Sequence, residues 1–432
     1  MAKRIFPVLL AASLLLCGCG AQPSSDFTDW APTPPMGWNS WDCYGPTVTE
    51  AEVKANADYM AAHLKQYGWE YVVVDIRWFV ENDKAGGYNQ TDPRYVLDEW
   101  GRYLPAVNRF PSSEGGAGFA PLAEYVHSLG LKFGIHIMRG IPRIAVERRT
   151  PILGTSLTAD QVYGTDLLCE WLRDNYSLPA ENPGAQEYYD SIFALYAQWG
   201  VDYIKIDDLS RPYHAGEIEM IRRAIDKCGR PIVLSTSPGA TPVEMAEHVC
   251  AHANLWRMVD DLWDIWGDVV HLMDVAQDWY PWIGGGTWPD CDMIPLGRIS
   301  IRGERGQERQ SRLTPDEQRS LMTFFCIFRS PLMFGGDLPS MDDFTLSLLT
   351  DPELLAMHRY GEDVRQLFRH EDGGVAIASR DSRDGSSWIA LFNLGDAPLR
   401  VSAPGASADA CPSGVAVCAD LAPHACAVFK VE

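Results

Sequence analysis

The sequence predicts an α/β protein: a (β/α)8 barrel over residues 34–360 followed by a small antiparallel β-sandwich over 361–432. Three observations carry this expectation. Eight short β-branched or apolar runs recur along the first part, each continuous rather than alternating, as a parallel strand covered on both faces requires. Longer stretches of helical periodicity separate them. After Gly361 the runs shorten and are divided by Asp-Gly, Gly-Asp and Pro-Gly pairs, the punctuation of antiparallel hairpins.

The predicted barrel strands are Met36–Trp41, Tyr71–Asp75, Leu131–Met138, Tyr203–Asp207, Ile232–Ser235, Leu255–Met258, Trp282–Gly285 and Ile327–Phe334. Predicted helices between them include Thr49–Tyr67, Pro121–Leu129, Gln186–Gly200, Gly216–Cys228 and Thr241–Ala251. The helix after the seventh strand opens with Thr314-Pro315-Asp316-Glu317, a capping box with proline at the first helical position. Eight such units close most economically as a barrel, which absorbs about 250 residues as one domain. A doubly wound open sheet is the alternative, but no GxGxxG or GxxxxGK[ST] motif follows any strand, so phosphate cradling has no support. In the last domain the predicted strands are Gly374–Ala378, Trp388–Asn393, Leu399–Ser402 and Ala427–Val431.

Composition narrows the function. The 432 residues are 46% hydrophobic and 22% charged, which excludes disorder and a fibre. A net charge of −22 argues against nucleic acid as a partner, since phosphate binding needs a basic face. Fifteen Trp and seventeen Tyr supply rings that stack on sugars as readily as they fill a core. Lys3 and Arg4, an apolar run from Ile5 to Leu16 and the ending Leu16-Cys17-Gly18-Cys19 read as a signal peptide over 1–18 that resembles the bacterial lipobox. Cys19 is the expected lipidation site, because Gly18 is the small residue before the cut. Residues 19–33, polar and rich in Pro and Ser, are the expected tether. The expected location is the bacterial cell envelope, with membrane contact through the lipid anchor only; no later stretch reaches 18 apolar residues. Removing residues 1–18, with Lys3 and Arg4, shifts the charge from −22 to −24. Beyond Cys19 nine cysteines remain, an odd number that leaves at least one thiol free. Among them, Cys411, Cys418 and Cys426 are placed to supply one bridge.

Residues at the carboxyl ends of barrel strands line the active site of such folds. Here several runs end in acids: Asp75, Asp207-Asp208, Asp260-Asp261, and Asp290 with Asp292. Unpaired like charges in one pocket are costly, so the pocket must hold a metal, or cations and hydroxyl donors. Lys205 and Arg257 supply positive charge, and His136 is the one strand-end histidine, too few imidazoles for a usual metal centre; no metal and no cofactor is expected. Two carboxylates among Trp and Tyr are the apparatus for cleaving a glycosidic bond. Lys205 and Asp207, two apart on one strand, point to the same side, where the ammonium keeps Asp207 ionised as a nucleophile requires. Asp261, at a strand-to-helix junction, suits a general acid. Any one of these acids taken singly reads first as a helix cap; all of them together do not.

Pro34-Pro35-Met36-Gly37-Trp38-Asn39-Ser40-Trp41, Tyr203-Ile204-Lys205-Ile206-Asp207-Asp208, Trp256-Arg257-Met258-Val259-Asp260-Asp261 and Pro289-Asp290-Cys291-Asp292-Met293 resemble the signatures of glycoside hydrolase family 27, the α-galactosidase family. The resemblance implies a barrel with a C-terminal sandwich, Asp207 as nucleophile and Asp261 as acid/base. It further implies sugar contacts from Trp41, Asp75, Lys205, Arg257 and Asp292, retention of anomeric configuration, and no cofactor.

Three departures bear on the substrate. The family's second strand usually ends in two acids that hold the galactose 4- and 6-hydroxyls, whereas here the run is Asp75-Ile76-Arg77-Trp78. An aliphatic Ile76 cannot accept from a 6-hydroxyl, a charge-assisted bond worth about 1.5–3 kcal/mol, and fills the space of the hydroxymethyl arm. L-Arabinopyranose matches galactose at every ring carbon and lacks that arm. Either Ile76 faces the sugar in this way, or it turns aside and Arg77 or another residue takes the hydroxyl. The third strand carries Gly134-Ile135-His136 where the family commonly has Gly-Ile-Tyr, leaving His136 to bond a ring hydroxyl, and the loop cysteines that often pair nearby are missing, since Leu209 follows Asp208. The fifth strand ends Ser235-Thr236-Ser237-Pro238-Gly239 where galactosidases carry a Glu for the 2-hydroxyl, which leaves room for a larger 2-substituent. The expected activity is that of a retaining exo-glycosidase on glycans ending in galactose or arabinopyranose, with β-L-arabinopyranosides favoured over α-D-galactosides. The alternatives are an α-galactosidase proper and, from another class, a lipoprotein that binds glycans without cleaving them.

Overall fold

A computed structural model of the chain describes residues 26–403 and 417–431. The signal-peptide reading of 1–18, the lipidation site Cys19 and the cysteine at 411 lie outside the described residues. Eight strand positions make the barrel: β1 (Met36–Asn39), β2 (Tyr71–Val74), β3 (Lys132–Met138), β4 (Tyr203–Asp207), β5 (Val233–Thr236), β6 (Leu255–Arg257), β7 (Trp288–Asp290) and β8 (Leu332–Phe334). Neighbours pair in parallel from β1 through to β7. After Cys291 and Asp292 the chain resumes as Met293–Ile294, which pairs with β8, and β8 returns to β1. The seventh strand thus closes the barrel with its two halves facing different neighbours. Every residue of β1, β2, β5, β6, β7 and β8 is buried, which is why these runs are continuous in the sequence. In β1, a Cβ on Gly37 would collide with the Tyr71 carbonyl oxygen of β2, so only glycine lets the two strands approach there.

Two predicted strands move. Residues around Trp282–Gly285 form no strand: Tyr280–Trp282 is a 3-10 turn with Pro281 inside it, and Gly284, Gly285 and Gly286 take positive φ to reverse the chain into β7. Proline within Trp288-Pro289-Asp290 disguised the strand itself. The eighth strand is shorter than Ile327–Phe334, because Ile327 and Phe328 end the helix Pro315–Phe328, Arg329 caps it in the left-handed region, and Pro331 follows. The capping box holds: Thr314 Oγ1 accepts from the Glu317 amide at 3.3 Å and Glu317 accepts from the Thr314 amide at 2.7 Å.

The tether is shorter than 19–33. From Phe27 the chain is docked on the barrel: Arg222 lies 5.0 Å from the Phe27 ring and 4.8 Å from that of Trp30, and the Trp288 indole donates to the Ala31 carbonyl at 2.9 Å. Two aromatic rings among the polar residues supply apolar area enough to order this segment.

The C-terminal region has six described strands rather than four. β9 (Gly361–Arg369), β10 (Gly374–Asp381), β11 (Ser387–Asn393) and β14 (Cys426–Val431) form one antiparallel sheet, and β12 (Leu399–Ala403) with β13 (Val417–Leu421) a second. The larger sheet is covered on both faces. Val375, Ile377, Trp388, Ala390 and Phe392 join the barrel core, while Ala376, Ala378, Ile389 and Leu391 pack with Val401, Ala403, Val417 and Leu421. β9 escaped prediction because most of its residues are half-buried and its apolar and polar positions do not alternate. The expected cysteine bridge does not form between Cys418 and Cys426: both are free, Cys418 exposed on β13 and Cys426 turned to Thr323 of the barrel at 3.4 Å.

His358 lies buried where barrel and sandwich meet, its Nε2 2.7 Å from the Ser330 carbonyl. Burial pushes its pKa down to about 3, so the folded imidazole is neutral. An unfolded histidine titrates near ~6.5. Below that pH the unfolded chain binds the extra proton, so the contribution is fully present above it and is lost as pH falls toward the folded value. Through this group alone, unfolding free energy should drop by about 2 kcal/mol between pH 6.5 and 5. Urea denaturation at both pH values should show a smaller drop in His358→Gln.

Candidate active site

The carboxyl ends of the strands open into a cavity of about 960 Å³. Asp75 and Ile76 follow β2, His136 is on β3, Lys205 and Asp207 on β4, and Asp261 follows β6; all of these, with Trp41 just after β1, line it. The two carboxylates singled out for chemistry therefore share one hollow.

Asp75 is the most heavily bonded of these acids. Its carboxylate accepts from Asn39 Nδ2 at 2.8 Å and from the Ile76 amide at 2.9 Å, and lies 2.6 Å from His136 Nδ1 and 3.3 Å from Lys205 Nζ. Burial opposes its charge, but His136 and Lys205 win and hold its pKa well below the usual carboxylate range. His136 in turn places Nε2 3.5 Å from Asp207 Oδ2. Burial disfavours the imidazolium, yet the charge of Asp75 and the carboxylates facing its two nitrogens raise the His136 pKa. The sequence assigned the cation beside Asp207 to Lys205; the ion-pair partner within reach is His136, while the lysine ammonium leans on Asp75. The other Asp207 oxygen accepts from the Asp208 amide at 2.9 Å.

Arg257 and Asp292 do not line the cavity; they form a buried pair at its wall. Arg257 sits 2.7 Å from Asp292 and 3.3 Å from Asp261, and Asp292 also accepts from the Leu262 amide at 2.8 Å. The guanidinium so ties the sixth and seventh strand ends together under Asp261. Burial raises the Asp292 pKa. Asp208, with φ of 63°, turns away from the cavity toward Arg139 at 2.9 Å, and burial pushes its pKa up to about 7. Asp260 lines the outer rim of the cavity, exposed and in an ion pair with Arg211 at 2.9 Å.

At the second strand the alternatives separate. Ile76 is buried against the cavity, whereas Arg77 is fully buried and turned elsewhere. Arg77 donates to both oxygens of Asp174 at 2.8 and 2.7 Å and to Asp83 at 3.0 Å. Its guanidinium is spent on bracing the long segments that follow β2 and β3.

Comparison with known proteins agrees with this geometry. A family model described as alpha galactosidase A matches residues 159–360. A curated alpha-galactosidase A of Cellvibrio japonicus is 27% identical over 414 residues, covering 92% of this chain and 84% of that protein. The alpha-N-acetylgalactosaminidase of Rattus norvegicus is 27% identical, covering 84% and 77%. The crystal structure of a family 27 β-L-arabinopyranosidase from Geobacillus stearothermophilus superimposes with a TM-score of 0.90 at 47% identity, covering 94% of this chain and 97% of that one. The chain belongs to glycoside hydrolase family 27. It is a glycosidase of the galactosidase type, which removes the reading as a binding protein without catalysis.

In this family 27 member, several cavity residues escaped the sequence reading, among them Tyr88 and Glu304. Tyr88 comes from the long segment after β2, its ring 5.7 Å from that of Trp41. Burial first, then the nearby Asp207, Glu304, Asp75 and Asp261, push its phenol pKa far up, so it is a neutral donor among acids. Glu304, on the loop before the last barrel helix, reaches the cavity and shares a hydrogen bond with the Trp41 side chain; burial and then Asp261 raise its pKa. Both stand on irregular segments with no strand end or motif to mark them. Trp171, Trp263 and Ile265 add apolar surface to the cavity lining.

Because Arg77 compensates two buried acids, Arg77→Met should cost about 3–5 kcal/mol of unfolding free energy. Urea denaturation would measure it, and limited proteolysis should cut within residues 77–110 in the variant before the wild type.

Proposed function

We propose that the protein is a retaining exo-glycosidase that releases terminal galacto-configured sugars, with β-L-arabinopyranosyl groups favoured over α-D-galactosyl ones. The observation that carries the preference is Ile76, whose side chain abuts the cavity beside Asp75 while Arg77 is committed elsewhere. An aliphatic group at that spot fills volume and offers no acceptor to a hydroxymethyl arm. The Geobacillus relative, a β-L-arabinopyranosidase of which a variant was crystallised with arabinose, supports the reading.

In the proposed mechanism Asp207 attacks the anomeric carbon while Asp261 gives its proton to the departing glycosidic oxygen. The ester so formed is hydrolysed by water that Asp261, now a carboxylate, deprotonates, which returns both groups to their starting states. The Asp208 amide holds one Asp207 oxygen and His136 faces the other at 3.5 Å, so attack loses little orientational freedom. Arg257 holds Asp261 from below. Asp75, Lys205 and His136 are the polar groups offered to ring hydroxyls, with Trp41 and Tyr88 as apolar faces. Secretion and anchoring through Cys19 accompany this reading, so the substrate is an extracytoplasmic glycan.

An arabinopyranosyl aryl glycoside should be cleaved faster than the galactosyl one, by about 10–200-fold in kcat/KM, and Ile76→Asp should narrow or reverse the ratio. Equal rates on both substrates, or a galactosyl advantage, would remove the preference. Asp207→Ala should lose nearly all turnover with an unchanged thermal transition, and proton NMR of the first product should show the substrate's anomeric configuration. An active Asp207→Ala enzyme, or an inverted first product, would refute the mechanism.

A further inference from the structure

Away from the cavity, two helices that flank the barrel bring together three side chains of ligand type that the glycosidase reading leaves idle. Glu219 is on the helix Ala215–Lys227, His248 on the helix Ala246–Cys250, and His252 two residues beyond its end. One carboxylate oxygen and two imidazole nitrogens lie within 4.8 Å of one another, and all three residues are half-buried. We propose that Glu219, His248 and His252 form a binding site for a borderline divalent cation of the Zn2+ class, with water completing the coordination.

Several features of the geometry favour a metal over an incidental surface cluster. His248 and His252 stand four residues apart, so their rings project to one side, stacked with centroids 4.3 Å apart. His252 Nδ1 is 2.7 Å from the His248 carbonyl, an oxygen that can only accept. That bond puts the proton on Nδ1 and leaves Nε2 with its lone pair free, the arrangement found behind metal-bound histidines. His248 Nδ1 lies 2.7 Å from the Tyr213 hydroxyl, an oxygen that can accept the Nδ1 proton and so leave Nε2 to a metal, and Nε2 lies 3.5 Å from Glu219 Oε1. Ligands at 2.0–2.1 Å from a tetrahedral zinc stand about 3.4 Å apart, so this pair needs almost no movement. Burial, followed by the neighbouring His252, lowers the His248 pKa and keeps its ring neutral near pH 7. Arg223 meets the other Glu219 oxygen at 3.3 Å and does not occupy the ligand side. Two imidazoles and one carboxylate suit zinc, cobalt or copper, whereas Mg2+ and Ca2+ prefer oxygen alone. A cation here would pin the two helices to each other.

The test is titration of the full-length, chelator-treated protein with ZnCl2 by calorimetry, with Co2+ as the optical probe. The wild type should bind one zinc that Mg2+ does not displace, show the visible bands of low-coordinate cobalt, and unfold at higher temperature with zinc present. The double variant H248Q/H252Q should lose at least tenfold in affinity and lose the cobalt bands. Glu219→Gln, which keeps both rings, guards against a folding defect in the double variant and should weaken zinc binding about tenfold. Zinc binding that the variants leave unchanged would assign the metal to exposed thiols such as Cys418 and overturn the proposal, as would the absence of stoichiometric binding to the wild type. Turnover on aryl glycosides should be the same with and without zinc, which separates this site from the catalytic reading.

Discussion

The constraint on which the site depends is the cost of burying several carboxylates at one end of a parallel sheet. Asp75, Asp207, Asp290 and Asp292, at or just beyond strand ends on one end of the sheet, are each less than a tenth exposed. Left alone, such a cluster would protonate or unfold. It persists because cations are threaded between the acids, with Lys205 and His136 against Asp75, His136 against Asp207, and Arg257 between Asp292 and Asp261. The outcome is unequal environments. Asp75 is forced to stay ionised, while burial raises Asp290 and Asp292 despite Arg257.

The same economy explains the second strand end. Adjacent residues there go opposite ways: Ile76 lines the cavity, and Arg77 turns into the protein to hold Asp174 and Asp83. The long segments after β2 and β3, which bring Tyr88 and Trp171 to the cavity, hang on that one guanidinium. Cavity lining and the bracing of these loops therefore meet at neighbouring backbone positions.

Much of this was readable in the chain. The barrel was legible because its strands are buried on both sides and so appear as unbroken apolar runs, and because glycine, proline and capping signals sit where geometry demands them, as at Gly37 and Thr314-Pro315. The acids at the strand ends were legible for the same reason, since a strand places its last residue at the cavity mouth. What failed did so where local signals conflict with tertiary context. Proline hid β7, half-burial without alternation hid β9, and an aromatic pair turned the end of the expected tether into a docked segment.

Residue order alone determined the fold class and the charged groups at the strand ends, because both follow from periodicity and from position within a strand. Tertiary structure decided which partner each charge finds: His136 rather than Lys205 beside Asp207, Asp208 turned inward, Arg257 shared between two acids. It also recruited Tyr88 and Glu304 from irregular segments. Such choices depend on distances between atoms far apart in the chain, and no local pattern encodes those distances.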